Sequence, residues 1–508
     1  MSLLPTTLPK WYQTEEDQRG NVKGWTPKTS DIVAKPENRD IIAAWTGTYY
    51  PPAPKNYTVQ INRLKVLSPI QVGGGSFPEG GILPAQVNGV PCIPGSSARG
   101  AFLSWLRSHF ETFSEEEQQF WLSLISEDHQ SWQPRKIRFE TILLKKLKPY
   151  PLHAQQSWQV FDERSHALGI QWQVSPQHPP SPGADVFDLH IIIKPTPTND
   201  QKKWVQNRLN EFFEQQGIGR ATNSGFGRLA RTVPDGKWKI ELSGMKPCVQ
   251  QHSNQLNGEY RWSPQVLRAN LRSYFTRLAL AWLNSDQAKQ LTNKIFGGFG
   301  CPARLVLTSY LSPLGRSFNT PSNQGYTNIP AAVVYETWPI QVNCNDDLKD
   351  LVGDLLELSS RLGGLGPGWR RPPHSMNHGV FRGSQFTCSP DQPDLSHSQL
   401  IEKLYDRVKS LAQEYHYRLF NQAQQVTGGL NSIWIWEDKA DQWRDIVHGV
   451  CRTNNNPDRP DWCGNSNTHP SGYAVRQYED SCLITVFDPA VEPTLRSQQF
   501  QCIWNING

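Results

Sequence analysis

An α+β class, built from two tandem copies of one small domain, is what this sequence predicts, and three observations predict it. The order strand, helix, strand, strand, helix, strand can be read in residues 57–235 and again in residues 236–390. In both stretches the second helix runs into a glycine-rich loop, GIGRATNSGFGRL (Gly217–Leu229) and LGGLGPGWRR (Leu362–Arg371). An arginine early in the first helix lies at a similar distance from that loop, 120 residues from Arg99 to Gly219 and 98 from Arg268 to Gly366. The element order is that of a split βαβ, so each copy is expected to be ferredoxin-like (RRM-like). Residues 1–56 are left as an N-terminal extension. Residues 391–508 are left as a C-terminal insertion or tail whose last strands pack back on the second domain.

In chain order, YYPPAPKN (Tyr49–Asn56) reads as a proline-rich linker, and Tyr57 to Leu67 alternates as a strand. A glycine-rich run, Ser68 to Pro84, precedes the turn and helix of IPGSSARGAFLSWLR (Ile93–Arg107). Ile137 to Lys148 is the second strand. His153 to Pro182 is polar with Trp158, Phe161 and Trp172, and reads as a projecting hairpin. Ala184 to Lys194 is a buried strand. Gln201 to Gln216 is a helix with Trp204, Val205, Leu209, Phe212 and Phe213 on one face. The second copy follows as a strand (Lys237–Leu242), a helix opened by Ser263-Pro264 (Arg261–Trp282), strands Arg304–Tyr310 and Ala331–Val342, a helix (Asp346–Leu362) and a closing strand (Val380–Cys388). In the tail, Leu395 to Phe420 is a helix and SCLITVF (Ser481–Phe487) a strand.

The chemistry concentrates at the first helix start. Pro94 and Gly95 make the turn, Ser96 or Ser97 is placed to cap, and Arg99 sits in the first turn. A cation there opposes the helix dipole, which makes sense when an anion is bound at the free N–H groups. IPGSSARG resembles the helix-start motif of the RAMP superfamily, the RNA-binding proteins of CRISPR effector complexes. GIGRATNSGFGRL resembles that superfamily's glycine-rich loop, and KIFGG (Lys294–Gly298) a motif of its type III members. The resemblance covers most of residues 57–390 and implies the same ferredoxin-like fold. It also implies a tandem-domain backbone subunit of a type III effector, holding guide RNA for pairing with target RNA beside other effector subunits.

On that reading the RNA-binding residues of the first domain are Ser96, Ser97, Arg99, Arg107, Gly217, Gly219, Arg220, Gly225, Gly227 and Arg228. Those of the second are Arg268, Arg272, Gly364, Gly366, Trp369, Arg370 and Arg371, although this copy lacks IPGSS. Arginine with an indole suits single-stranded RNA, while the plainer reading of Trp369 is core packing. A nucleotide-binding reading of the first glycine loop fails, because a helix precedes it, a strand follows it, and Thr222 stands where the third glycine belongs. The hairpin aromatics are candidates to wedge between bases. His448, Cys451, Cys463 and His469 have a spacing loosely compatible with zinc.

An enzyme is the alternative, a metal-dependent endoribonuclease using Mg²⁺, and a protein-only capping adapter is a third reading. In cutting members of the family an aspartate follows the first strand. Here Leu83 stands near that place, and the nearest acids are Glu79 in the first domain and Glu259 in the second. Catalysis by this chain is therefore not expected. Net charge is only +5, so an RNA surface has to be a patch. Neither a membrane-spanning apolar run nor a signal-peptide core is seen, and a cytoplasmic location is expected.

Overall fold

The computed structural model describes residues 56–76, 81–87, 90–125, 136–144, 148–152, 160–161, 169–173, 186–244, 262–298, 300–312, 317–319, 335–366, 369–375, 381–390, 394–451, 459–464 and 470–508. These residues fall into two units, one within 56–234 and one within 235–508; Val160 and Phe161 belong to the second, Trp262 and Ser263 to the first.

The first unit carries a four-stranded antiparallel sheet of β1 (Val59–Val66), β6 (Ile137–Phe139), β10 (Val186–Ile193) and β11 (Leu229–Ala230). Their order across the sheet is β11-β1-β10-β6. Helix α1 (Gly95–Ser108) follows the first of these strands in sequence, and α3 (Asn199–Gln215) follows the third. Alternation explains the sheet: Val59, Ile61, Leu64 and Val66 are buried, and Lys65 between them is exposed. Phe102 of α1 joins the layers, its ring centroid 5.6 Å from those of Trp121 and Phe212 and 5.7 Å from that of Phe139. Trp121 belongs to α2 (Glu115–Ile125), which is tied to α3 where Arg208 pairs with the buried Glu117 at 2.8 Å. Thr198 caps α3 in a reciprocal capping box with Gln201.

Beside this sheet run short strands: β2 (Gly73–Ser76), β3 (Gly81–Pro84), β4 (Gln86–Val87), β5 (Val90–Ile93), β7 (Ile142–Leu143), β8 (Lys148–Leu152) and β9 (Gly169–Gln173). Strand β8 pairs antiparallel with β9, while most of His153–Pro182, where a projecting hairpin was expected, lies outside the described residues. The β8–β9 pair joins the glycine-rich β2–β3 hairpin in one sheet of order β2-β3-β9-β8. The single strand expected over Ile137–Lys148 is broken into β6 and β7. The break falls at Glu140-Thr141, where the Thr141 hydroxyl turns to accept the Gly95 N–H, 3.3 Å away.

The second unit repeats the strand order. Its sheet holds β12 (Trp238–Gly244), β13 (Leu307–Leu311), β14 (Ser317–Asn319), β15 (Tyr335–Cys344) and β18 (Ser384–Ser389). The path is β13-β15-β12-β18, with β14 on β15 and all pairs antiparallel. Counting strands by sequence within each unit and setting β14 aside, both sheets read second, third, first, fourth. Helices α4 (Pro264–Ala279) and α6 (Lys349–Leu362) take the places of α1 and α3, and α5 (Ser285–Phe296) is inserted after α4. A short ribbon of β16 (His374–Ser375) and β17 (Phe381–Arg382) precedes β18.

The tail belongs to this unit. Helix α7 (His397–Glu414) packs on α6, held by Lys403–Asp354 at 2.7 Å. Strands β19 (Ser432–Trp436), β20 (Tyr473–Gln477), β21 (Cys482–Val486) and β22 (Gln501–Asn505) form a sheet of order β20-β21-β19-β22, and β20 bonds back through Val475 N–H to Arg370 O. The tail has its own core, which includes Trp434, Trp443 and Trp462. No described helix is long and apolar enough to cross a membrane.

Candidate nucleic-acid interface

In the first unit the interface begins where α1 meets β6 and β7. Gly95 is the first residue of α1, and a Cβ there would lie 1.9 Å from Phe139 O, so only glycine lets the helix start this close to the strand. Pro94 is the N-cap and no side chain caps the helix. The expectation that Ser96 or Ser97 caps is therefore corrected: both lie inside the first turn, exposed, with hydroxyls turned to solvent rather than spent on the backbone. The resulting cleft of about 310 Å³ is lined by Ser96, Arg99, Arg138, Glu140 and Thr141 over a floor of Pro94, Gly95, Ile137 and Phe139.

Arg99 is half-buried at the mouth, its Nε–H donating to Ile137 O at 3.0 Å. Arg138 is 69 % exposed and lies 3.3 Å from the Glu140 carboxylate. Arg138, Glu140 and Thr141 were not among the residues expected from sequence. The signal was available in Ile137-Arg138-Phe139-Glu140, whose alternation puts Arg138 and Glu140 on one strand face. Arg107 is exposed in the last turn of α1, about 12 Å along the axis from Arg99 at 1.5 Å per residue.

The glycine loop closes on its own chain. Leu67 N–H reaches Arg228 O, Gly227 N–H reaches Pro69 O, and Arg220 N–H reaches Gln71 O, each at 2.9 Å, prolonging the β1–β11 ladder beyond the sheet. Gly227 has φ +76°, and a Cβ on it would meet Ile218 O at 2.1 Å. Gly217, Gly219 and Gly225 also have positive φ. For Gly217, Gly219 and Gly227 the close approach is thus one to protein backbone. Arg228 is likewise corrected: it is 1 % exposed and donates to Phe226 O and Thr222 O, clamping the loop from within. Arg220 remains on the surface, exposed.

A ladder of backbone bonds links the two places. It runs from Arg220 N–H to Gln71 O, from Ala85 N–H to Val72 O, from Cys92 N–H to Ala85 O, and from β5 to β7. Four strand spacings of about 4.8 Å put Arg220 roughly 15–20 Å from the Thr141 end.

In the second unit most candidate residues face inward. Arg268 is 3 % exposed, and burial lowers its pKa to about 10. Burial likewise lowers that of Arg272 to about 10, and its guanidinium donates to Gly297 O and Asn293 Oδ1 at the end of α5. The KIFGG motif is thus the C-terminal turn of α5, held by Arg272. Trp369 is 6 % exposed between Tyr274 and Phe487, so the stacking indole expected there is a core residue. Arg370 donates to Ser471 O, and burial lowers its pKa to about 10. Arg371 is half-buried, and its carbonyl accepts the Ser384 N–H. Gly364 and Gly366 shape the turn after α6, Gly364 lying against Ser384 O and Gly366 having φ +76°.

Among the other candidates, Cys451 and Cys463 are joined in a disulfide, which removes two of the four proposed zinc ligands; the His448 side chain and His469 lie outside the described residues. Among the described residues no group of three or more His, Cys, Asp or Glu could hold a metal. Glu79 and Glu259 lie outside the described residues, as do Trp158 and the Trp172 side chain. Phe161 lies 4.5 Å under Lys289 rather than at a free hairpin tip.

Residues 63–230 match the family model of the RAMP superfamily, which bears out the resemblance for that stretch. No curated protein matches the chain. Similar solved structures include the apo form of Cmr1 from Pyrococcus furiosus, 12% identical, covering 53% of this chain and 98% of that one with a TM-score of 0.29. Another is the type III-B Cmr-beta bound to cognate target RNA, 10% identical, covering 49% of this chain and 94% of that one with a TM-score of 0.29.

Proposed function

We propose that this chain is a guide-RNA-binding backbone subunit of a type III CRISPR effector, with two ferredoxin-like domains of which the first holds the RNA. The carrying observation is the cleft at the start of α1, which lies inside the RAMP-matched stretch and gathers Ser96, Arg99 and Arg138 at a helix N-terminus. Backbone N–H groups, hydroxyls and guanidinium together suit a phosphate. The repeated strand order supports the ferredoxin-like reading of both sheets. Binding of this kind is phosphate-driven and indifferent to sequence, and base pairing does the reading. Target RNA and other effector subunits are the partners this role requires. Cleavage is not part of it: Leu83 stands about where cutting members of the resembled family carry an aspartate.

The test is titration of the full chain with labelled RNAs of unrelated sequence from low to moderate salt. Arg99→Glu should weaken all of them alike and reduce the salt slope by about one to two. Unchanged binding at moderate salt would overturn the assignment of this cleft. Incubation of the assembled complex with paired target and Mg²⁺ tests the non-catalytic part, which is wrong if cleavage is lost in Glu79→Ala or Glu259→Ala.

A further inference from the structure

We infer that Glu140 reads the sugar of the bound strand, accepting a hydrogen bond from a ribose 2′-hydroxyl and so selecting RNA over DNA. This rests on the RNA-holding reading of the cleft. Glu140 is an acceptor-only group in a cleft whose other polar groups, Ser96, Arg99, Arg138 and the start of α1, suit an anion. A carboxylate repels phosphate, and the lone pairs that Arg138 leaves uncovered suit a donor on the ligand. A carboxylate has about four lone-pair sites, and Arg138 approaches one oxygen, at 3.3 Å.

The position is held from both sides. Glu140 N–H donates to His190 O at 3.0 Å, and the next residue, Thr141, accepts the Gly95 N–H. The Glu140 side chain is 24% exposed and lines the cleft, so its carboxylate is held within reach of a ligand seated there. A strand offers two kinds of donor, the 2′-hydroxyl and the N–H groups of bases. The hydroxyl sits on the carbon next to the one bearing the 3′-phosphate. A nucleotide whose phosphate rests at the start of α1 therefore brings its hydroxyl into the same cleft, while its base edge lies farther off. The 2′-hydroxyl is also the group by which a protein tells RNA from DNA.

The experiment measures affinity of the full chain for oligo-U RNA, its 2′-deoxy counterpart, and oligo-A RNA at one salt concentration. Wild type should prefer RNA to the deoxy strand by about tenfold, the worth of one hydrogen bond to a charged acceptor. Glu140→Ala should bring the two within about twofold, and Glu140→Gln, which keeps a carbonyl acceptor, should retain part of the preference. Equal binding of both sugars by wild type, or an undiminished ratio in Glu140→Ala, would overturn this inference alone. A change in the U-to-A ranking with the sugar ratio intact would also overturn it, assigning Glu140 to a base edge. No RNA binding at all by wild type would overturn the RNA-holding reading and this inference with it.

Discussion

Arg99 and Arg268 are each the fifth residue of the helix that follows the first strand of its sheet. The sheets have the same strand order, yet Arg99 lies at the mouth of a cleft and Arg268 is 3 % exposed. The inserted helix α5 makes the difference. Its C-terminal turn lies against the arginines of α4, with Arg272 donating to Gly297 O and a Cβ on Gly297 falling 3.1 Å from Arg268 Nη2. A helix C-terminus carries partial negative charge, so the second unit meets its cations with carbonyls of its own. The first unit has no such turn on Arg99 among its described residues; there Arg99 Nε–H donates to Ile137 O beside the cleft at the start of α1. One topology thus yields a candidate binding site in one copy and an internal brace in the other.

The largest expected effect tests how alike the two glycine loops are. Gly227→Ala and Gly364→Ala should each destabilise their own unit by roughly 3–4 kcal/mol, since each Cβ would fall within about 2 Å of a backbone oxygen. Denaturant unfolding followed by tryptophan fluorescence reads this. A tolerated alanine at either position would break the likeness between the loops.

Acid should separate the units next. Burial and the charge of Arg361 push His397 down to about 4. A histidine lowered in the folded state favours folding fully above its ordinary pKa, and that contribution fades as pH falls from 6.5 toward 4. The second unit should lose up to about 3 kcal/mol over that window, and His397→Leu should flatten the slope. In the first unit, burial alone would raise the Glu117 carboxyl. Hydrogen bonds from Arg208 and Trp121 and the Arg208 charge outweigh it and hold the group below its usual value. Its stabilisation is present above the ordinary glutamate range and is lost only as pH falls below that range. Hydrogen exchange at pH 5 should therefore show the second unit loosened and the first intact; the reverse order would contradict the assignment.

The arginine comparison itself predicts opposite phenotypes. Arg268→Leu should lower stability by about 2–3 kcal/mol with RNA affinity little changed. Arg99→Leu should leave stability within about 1 kcal/mol and weaken RNA binding several-fold. Smallest of all, Gly100→Ala should add about 0.5–1 kcal/mol to the first unit, since a Cβ there meets nothing within 4 Å on an exposed helical position.

Much of the architecture was legible because it is local. The alternation of Val59 to Val66, the face of Val205, Leu209, Phe212 and Phe213, and the Pro94-Gly95 helix start each depend on neighbours a few residues away. The glycine loops were legible as loops for the same reason. Their partner was not: chemistry that tolerates a close approach does not say whether the approaching chain is RNA or residues 67–71 of the same protein.

The sequence by itself determined two tandem α+β units, the main strands and the two principal helices of each, and the stretch that matches the RAMP superfamily. These follow from periodicity and turn chemistry, which act over a few residues. Which arginines face water was decided only by tertiary structure. Arg99 and Arg268 begin their helices alike, and their exposure differs because α5, a separate stretch of chain, packs on one of them. Arg228 sits in a loop that reads as surface, yet it is 1 % exposed with its backbone N–H donating to the Ser68 hydroxyl, and the core packing of Trp369 is completed by Phe487, far away in the chain. The burial of these loop and arginine side chains is set by contacts between distant segments, which the local pattern around them does not encode.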